Sequence, residues 1–353
     1  MSSKTADSAT YAQPRSSAGP TKDFGGSKLL DIQDLYVEYA TSRGPVRAVD
    51  GVSFSIAPGE VFGLAGESGS GKSTIAHAIL RLLHPPAVIT GGSILFNGED
   101  VLEMNEERLQ AFRWSDISMV FQSAMNSLNP VMKISDQLSD VVMRHTKLSK
   151  AGARERAAEL LKIVGIDLGR LDSYPHQLSG GMRQRAVIAI ALALEPPLMI
   201  MDEPTTALDV VVQKDIMQQI EDLKEKMGFS ILFITHDLSL MVEFSTRIAI
   251  MYAGEIVELA PARKLFDDPL HPYTQGLMTS FPSLTGPKHK LTGIPGAPPD
   301  MVAPPSGCRF HPRCDRCKPM HTQVVPKLVE VKPDHWVACH LYEVDPHAHW
   351  RRP

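Results

Sequence analysis

The chain has 353 residues, 43% hydrophobic and 22% charged, the make-up of a folded globular protein with more than one ordinary core's worth of sequence. Its formal net charge of -4 argues against a general nucleic-acid binder, which needs a basic face for phosphate contact. No apolar run approaches the ~20 residues of a membrane span; the longest, Ala186 to Leu194, stops at Glu195 and reads as a buried helix.

In chain order, Met1 to Ser27 are rich in Ser, Thr, Ala, Gly and Pro without an apolar segment. A disordered tail over 1–27 is expected, with no secretory signal, which places the chain in the cytoplasm. Leu29 to Ile56 alternates and carries β-favouring residues, as in "LLDIQDLYVEYA" and "VSFSI", so paired strands are expected. Val61 to Ala65 is a short apolar run that meets a Gly-rich loop. The spacing of Ile75, Ala76, Ile79, Leu82 and Leu83 then predicts a helix over Lys72 to Leu83. Strand, Gly-rich loop and helix form the frame of a phosphate-binding α/β domain. Two helical stripes follow, Ile134, Leu138, Val141, Val142 and Ala157, Leu160, Leu161, Val164, and predict a helical insertion over about 123–178. Leu198 to Met201 and Ile231 to Ile234 are compact apolar runs ending in acidic or polar residues, as expected of strands buried on both faces of a parallel sheet. Pro282 to Pro305 is dense in Pro and Gly, a loop-rich stretch before a Cys-bearing segment. The expected organisation is a tail over 1–27, a nucleotide-binding domain over 28–260 and an extension over 261–353.

"GESGSGKST" covers Gly66, Glu67, Ser68, Gly69, Ser70, Gly71, Lys72, Ser73 and Thr74. Its glycines let backbone N–H groups converge on phosphate oxygens, and the following helix adds its positive end. Lys72 supplies a charge for the β- and γ-phosphates and Ser73 a hydroxyl for Mg²⁺. A Gly-rich turn with a chance Lys-Ser is the competing reading; the placement between strand and helix disfavours it. "LMIMDEP", Leu198 to Pro204, ends an apolar strand in two carboxylates: Asp202 to hold Mg²⁺ and its waters, Glu203 to polarise the attacking water as general base. In "LSGGMRQR", Ser179 with the amides of Gly180 and Gly181 makes a second anion site at a helix start. Alone it would be an ordinary N-cap.

This order of motifs, from about Leu29 to Glu258, resembles the ABC (ATP-binding cassette) ATPase superfamily. The implied fold is α/β: a P-loop NTPase core with an antiparallel β subdomain, a helical insertion and here a small loop-rich, Cys-containing extension. "LSGGMRQR" resembles the family signature. Gln122 in "MVFQ" resembles the Q-loop glutamine that senses Mg²⁺, water and the membrane subunit. Asp209 in "ALD" resembles the D-loop, His236 in "ITHD" the switch histidine at the γ-phosphate, and Tyr39 the aromatic that stacks on adenine, with Tyr36 two positions away as its competitor. The family implies two cassettes, head to tail, in which Lys72, Glu203 and His236 of one chain face Ser179 of the other. "SLNP", "YPHQLSGGMRQR", "MYAGEIVE", "HPYTQGL", "GCRFHPRC" and "HWVACH" resemble the oligopeptide/dipeptide importer branch, and "FQSAMNSLNP" its D-type subunit over the F-type. The branch implies a second ABC ATPase subunit, two transmembrane permeases and an extracytoplasmic binding protein as partners, with no nucleic acid, and attachment to the cytoplasmic face of the membrane. Nickel or oligosaccharide uptake by the same kind of motor, or an exporter motor, are the alternatives.

The cysteines are Cys308, Cys314, Cys317 and Cys339. Clustered thiols in a reducing compartment read as metal binding before disulfides. Four thiolates can ligate a [4Fe–4S] cluster, which would staple a Pro-rich tail; structural Zn²⁺, which usually takes two close Cys pairs, is second. Resemblance to the importer branch also implies an iron–sulfur cluster.

Overall fold

A computed structural model describes residues 28–122, 127–206, 208–279 and 293–342. The expected tail, 1–27, lies outside the described residues, as do 123–126 of the "FQSAMNSLNP" string, Ala207 of "ALD" and 280–292 of the Pro/Gly stretch.

The alternating opening segment forms strands β1 (Leu30–Thr41) and β2 (Gly44–Ile56), paired antiparallel. The Val61–Ala65 run is β3, buried at every position. It leads through the Gly-rich loop into helix α1 (Lys72–Ile79). The helix stops short of the expected Leu83 where Arg81 turns left-handed, with φ of 49°, and the Leu82 N–H closes back on the His77 carbonyl (2.8 Å); Arg113 takes up the freed carbonyls, donating from Nε to that of Leu80 (2.9 Å) and from Nη2 to that of Arg81 (2.8 Å). Strands β4 (Ala87–Phe96) and β5 (Glu99–Asp100) complete a four-stranded antiparallel sheet ordered β2-β1-β4-β5. Helix α2 (Glu106–Ser115) and strand β6 (Ile117–Val120) return the chain to the main sheet.

The two apolar stripes form helices α3 (Ile134–His145) and α4 (Lys150–Ile163), whose Ile134, Leu138, Val142, Ala157, Leu160 and Leu161 are buried against one another and against α5 (Gly180–Ala191). Strand β7 (Leu198–Asp202), helix α6 (Val210–Met227) and strand β8 (Ser230–Ile234) follow. Every residue of β7 and β8 is buried, so uninterrupted apolar runs, rather than alternation, encode these strands. Helix α7 (Leu238–Phe244), the hairpin of β9 (Arg247–Tyr252) and β10 (Glu255–Pro261), and helices α8 (Ala262–Asp267) and α9 (Pro272–Thr279) come next, then β11 (Val329–Lys332) and β12 (His335–Val337).

The main sheet runs β11-β12-β10-β9-β3-β8-β7-β6. It is parallel from β9 to β6 and antiparallel where β10, β12 and β11 extend it. One of its faces packs against the small antiparallel sheet and α1, with Phe54 and Phe62 stacked at 4.7 Å, and the other against α3 to α9. The C-terminal extension is thus knitted into this sheet. Glu258 on β10, fully buried, accepts from the backbone N–H groups of Leu270 (2.7 Å) and His271 (2.9 Å) and pairs with His335 Nε2 on β12 (2.7 Å). Neighbours β3, β8 and β7 deliver the Gly-rich loop, His236 and the Asp202–Glu203 pair to the same, carboxyl-terminal edge of the sheet, where open α/β sheets bind ligands.

Candidate functional site

The loop leaves β3 at Gly66 and enters α1 at Gly71, with φ of 147° and 108°. A Cβ at Gly66 would stand 2.2 Å from the Met251 carbonyl, and one at Gly71 the same distance from that of Ala48. Both positions therefore need glycine for conformation and for space. Lys72, 7% exposed, folds back over the loop and donates to the carbonyls of Gly66 (2.7 Å) and Glu67 (2.9 Å) and to Ser70 Oγ (3.3 Å). Burial pulls its ammonium below the ordinary value, while Glu203, Asp202 and Glu67 pull the other way. Ser68 and Gly69 are exposed at the tip and Ser70 is buried.

Asp202 ends β7 at 2% exposure. Burial raises its carboxyl, against a hydrogen bond from Ser73 and the attraction of His77 and Lys72, while Glu203 adds to the rise. Its Oδ1 is a buried oxygen without a hydrogen-bond partner. A buried carboxylate oxygen with no donor, beside a serine hydroxyl, is a hard oxygen donor set of the kind Mg²⁺ takes, so these residues fit that ion.

Glu203 follows with φ of 48°, a left-handed conformation that costs a non-glycine residue on the order of 1 kcal/mol and clusters at working sites. Its N–H donates to the Ile234 carbonyl (2.8 Å), tying it to the end of β8. Its carboxylate gathers three neighbours: Oε2 accepts from Gln122 Nε2 (2.9 Å) and Thr206 Oγ1 (3.0 Å), and Oε1 lies 3.1 Å from His236 Nδ1. The structure brings Gln122, Glu203 and His236 into one network, with Thr206 as a member that sequence reasoning missed. Three residues past Glu203 and inside a turn, Thr206 carries no periodic signal.

Tyr39 stands closer to this site than Tyr36. Its hydroxyl is 3.4 Å from Thr74 Oγ1, whereas Tyr36 lies over Gly51 and Gly91 on the small sheet. Ser179 and Asp209 are exposed and cap helices: Ser179 Oγ accepts from the Met182 N–H (3.3 Å) on α5, and Asp209 Oδ1 from that of Val212 (3.0 Å) on α6. A Cβ at Gly181 would meet Val212 Cγ1 at 2.9 Å, so the signature helix start packs tightly on α6. Among the described residues Ser179 stands outside the Gln122–Glu203–His236 network.

Over 323 residues, 90% of either chain, the sequence is 44% identical to the oligopeptide transport ATP-binding protein OppD of Bacillus subtilis strain 168. The chain belongs to the ABC transporter family of ATP-binding proteins. The dipeptide transport ATP-binding protein DppD of the same organism matches this cassette at 44% identity over 319 residues, 90% of this chain and 95% of DppD. The ABC transporter family profile matches residues 49–206, and a second profile, the C-terminal region of oligopeptide/dipeptide transporters, matches residues 257–320. Among solved structures, the dimeric post-hydrolysis ATP-binding cassette MJ0796 with ADP and Pi superposes with a TM-score of 0.60 at 29% identity, covering 66% of this chain and 99% of that one. The ABC cassette fold expected from the motifs is therefore the fold observed. Among the described residues no helix of the cassette is long and apolar enough to cross a membrane.

The cysteines of the extension depart from the four-ligand expectation. Cys308, Cys314 and Cys339 line one small cavity with His271, Phe310 and His340, while Cys317 is exposed and outside it. The cavity measures about 10 Å³, room for about one water molecule and far less than a four-iron cluster fills. Burial pushes the Cys308 thiol up to about 11 and also raises Cys314 and Cys339, with neighbouring cysteines adding to each rise. Among the described residues no group of three or more His, Cys, Asp or Glu side chains is placed to hold a metal ion. As arranged, the four thiols do not form the ligand set expected for a [4Fe–4S] cluster or Zn²⁺, because Cys317 stands apart from the other three. The staple expected of a cluster is supplied by the Arg313–Glu67 ion pair, the buried Glu258–His335 hydrogen bond and the packed rings of Tyr252, Tyr273 and Phe310.

Proposed function

We propose that this ABC ATPase drives an importer of oligopeptides or dipeptides. The observation that carries the reading is the match of residues 257–320 to the C-terminal region of oligopeptide/dipeptide transporters, joined to 44% identity with OppD and DppD over 90% of the chain. Cassettes that power other transporters need not carry that region.

Within the site each residue has a defined task. The amides of Gly69 to Thr74 and the ammonium of Lys72 bind the β- and γ-phosphates, and Tyr39 stacks on the adenine. Ser73, Asp202 and Gln122 would hold Mg²⁺, which supplies neutralising charge to the phosphate oxygens. Glu203 accepts the proton of the water that attacks the γ-phosphate. Gln122 and Thr206 orient its carboxylate, and His236 bridges from that carboxylate to the γ-phosphate. Ser179, Gly180 and Gly181 present a helix start to the nucleotide held by a second cassette, with Asp209 at the crossing of the two. Two copies of the site close around ATP and part after hydrolysis, a ligand-biased two-state equilibrium relayed through the helical insertion to two permeases on the cytoplasmic face. An extracytoplasmic binding protein delivers the peptide. The cysteine tail enters none of these steps.

Affinity purification of the full chain from intact membranes tests the assignment. A second cassette, two multi-spanning permeases and a peptide-binding protein are expected together. Recovery with a nickel- or oligosaccharide-binding protein would replace the substrate, and recovery with ribosomes or DNA would overturn the reading.

A further inference from the structure

The phosphate loop is gripped from outside the cassette core. Arg313 lies in the extension, 246 residues from Glu67, the second residue of the loop. Its side chain is 5% exposed. Nη1 donates to Glu67 Oε2 (2.8 Å) and Nη2 to Glu67 Oε1 (3.0 Å), a two-bond fork. The guanidinium is itself held: Nε donates to the Pro295 carbonyl (2.8 Å), and the group lies 5.7 Å from the centre of the Tyr252 ring. On the other side of Glu67, its backbone N–H donates to the buried Tyr273 hydroxyl of α9 (2.9 Å). A second buried arginine four residues back, Arg309, donates to the Ala253 carbonyl and pairs with Asp50 and Glu255. The next residue, Gly254, donates its N–H to the Ser70 carbonyl in the middle of the loop (3.1 Å).

We infer that Arg313 is a positioning residue for nucleotide binding: the C-terminal extension holds the phosphate loop in its receiving shape and neutralises the loop's own carboxylate. Glu67 is an acid at the place where triphosphate must bind, and it also acts electrostatically on Lys72. Left unpaired, it would repel the phosphates and compete for the Lys72 ammonium. The Arg313 fork takes up that charge and fixes the side chain's direction, which one lysine ammonium cannot do as well. The inference rests on Gly66–Thr74 being the phosphate loop, and it adds to that loop a part no ATP-binding motif contains.

The test uses the full chain, Mg²⁺ and N-methylanthraniloyl-ATP, with affinity read by fluorescence titration and folding by thermal melting. Arg313→Met is expected to weaken binding about tenfold. Adding Glu67→Gln in the Arg313→Met background is expected to restore affinity to within about twofold, because the unpaired carboxylate is gone. In the assembled transporter Arg313→Met should raise KM for ATP and leave kcat within about twofold, since the arginine touches no reacting atom. Unchanged affinity in Arg313→Met overturns the inference, as does a loss that Glu67→Gln does not reverse. Should Arg313→Met fail to fold, Arg313→Lys decides: a loss of about threefold supports the fork, and wild-type affinity overturns it. Lys72→Ala separates the two levels. If it too binds like wild type, the loop assignment falls and the inference with it.

Discussion

Replacing Glu203 by glutamine separates the shape of the hydrolytic site from its chemistry. Oε2 of Glu203 takes two donors, from Gln122 at 2.9 Å and Thr206 at 3.0 Å, so the oxygen of a glutamine amide belongs there. The amide nitrogen then faces His236 Nδ1, at the position now 3.1 Å away, and a neutral imidazole can accept there in its other tautomer. All three neighbours keep a partner, so stability should change by no more than about 0.5 kcal/mol. What is lost is the base. A missing general base costs roughly 10²–10⁴ in rate, about 3–5.5 kcal/mol of barrier. Phosphate release by the assembled transporter, with nucleotide affinity measured in parallel, is the assay. Glu203→Gln should bind ATP like wild type and turn over at least a hundredfold more slowly. Turnover within a few-fold of wild type would show that another group handles the water's proton.

Two further outcomes are expected, one from the proposed head-to-tail pairing of cassettes and one from a buried histidine. In a complex of one wild-type and one Ser179→Ala cassette, nucleotide photocrosslinking should fall about tenfold at the site holding the partner's Lys72, with about 1 kcal/mol of stability lost from the α5 cap; damage confined to the mutant's own site would refute the head-to-tail arrangement. Burial lowers the His271 imidazole to about 4, so as pH falls from 6.5 to 4 the unfolded chain takes up a proton that the folded one refuses, and up to about 3 kcal/mol of stability is lost in that window. His271→Asn keeps an acceptor for the Tyr273 N–H and should flatten that decline in urea unfolding measured at pH 7, 5.5 and 4.5; an unchanged slope would assign the pH dependence elsewhere.

Much of the fold was legible because local signals agreed. Val61–Ala65, Leu198–Met201 and Ile231–Ile234 are short apolar runs that lead directly into the residues assigned to chemistry, and order along the chain decided which turn was a phosphate loop. The helices at Ile134 and Lys150 were carried by their stripes. Strand β4 was not legible, because Gly91 and Gly92 interrupt "AVITGGSILF" and only its pairing with β1 makes it a strand. Helix α1 ends early at a left-handed Arg81, and the carbonyls freed there are taken by Arg113, 33 residues away from Leu80. The extension was the least readable part. Its strands are four and three residues long and exist as additions to β10. Its thiols suggested a shared ligand set, yet the backbone leaves Cys317 outside the cavity of the other three. The Arg313–Glu67 fork joins residues that only the completed sheet brings together.

The most direct measurement is ATP-driven uptake of a labelled oligopeptide into proteoliposomes holding the complete transporter, with this chain wild type or Lys72→Ala. The ammonium of Lys72 contacts three groups of its own loop and no permease surface in this reading, so the substituted complex should assemble normally. Uptake should require ATP and fall to background with Lys72→Ala, while the wild-type rate saturates with peptide and not with nickel or oligosaccharide. Peptide uptake that persists with Lys72→Ala, or ATP hydrolysis that no peptide stimulates, would contradict a peptide-import motor.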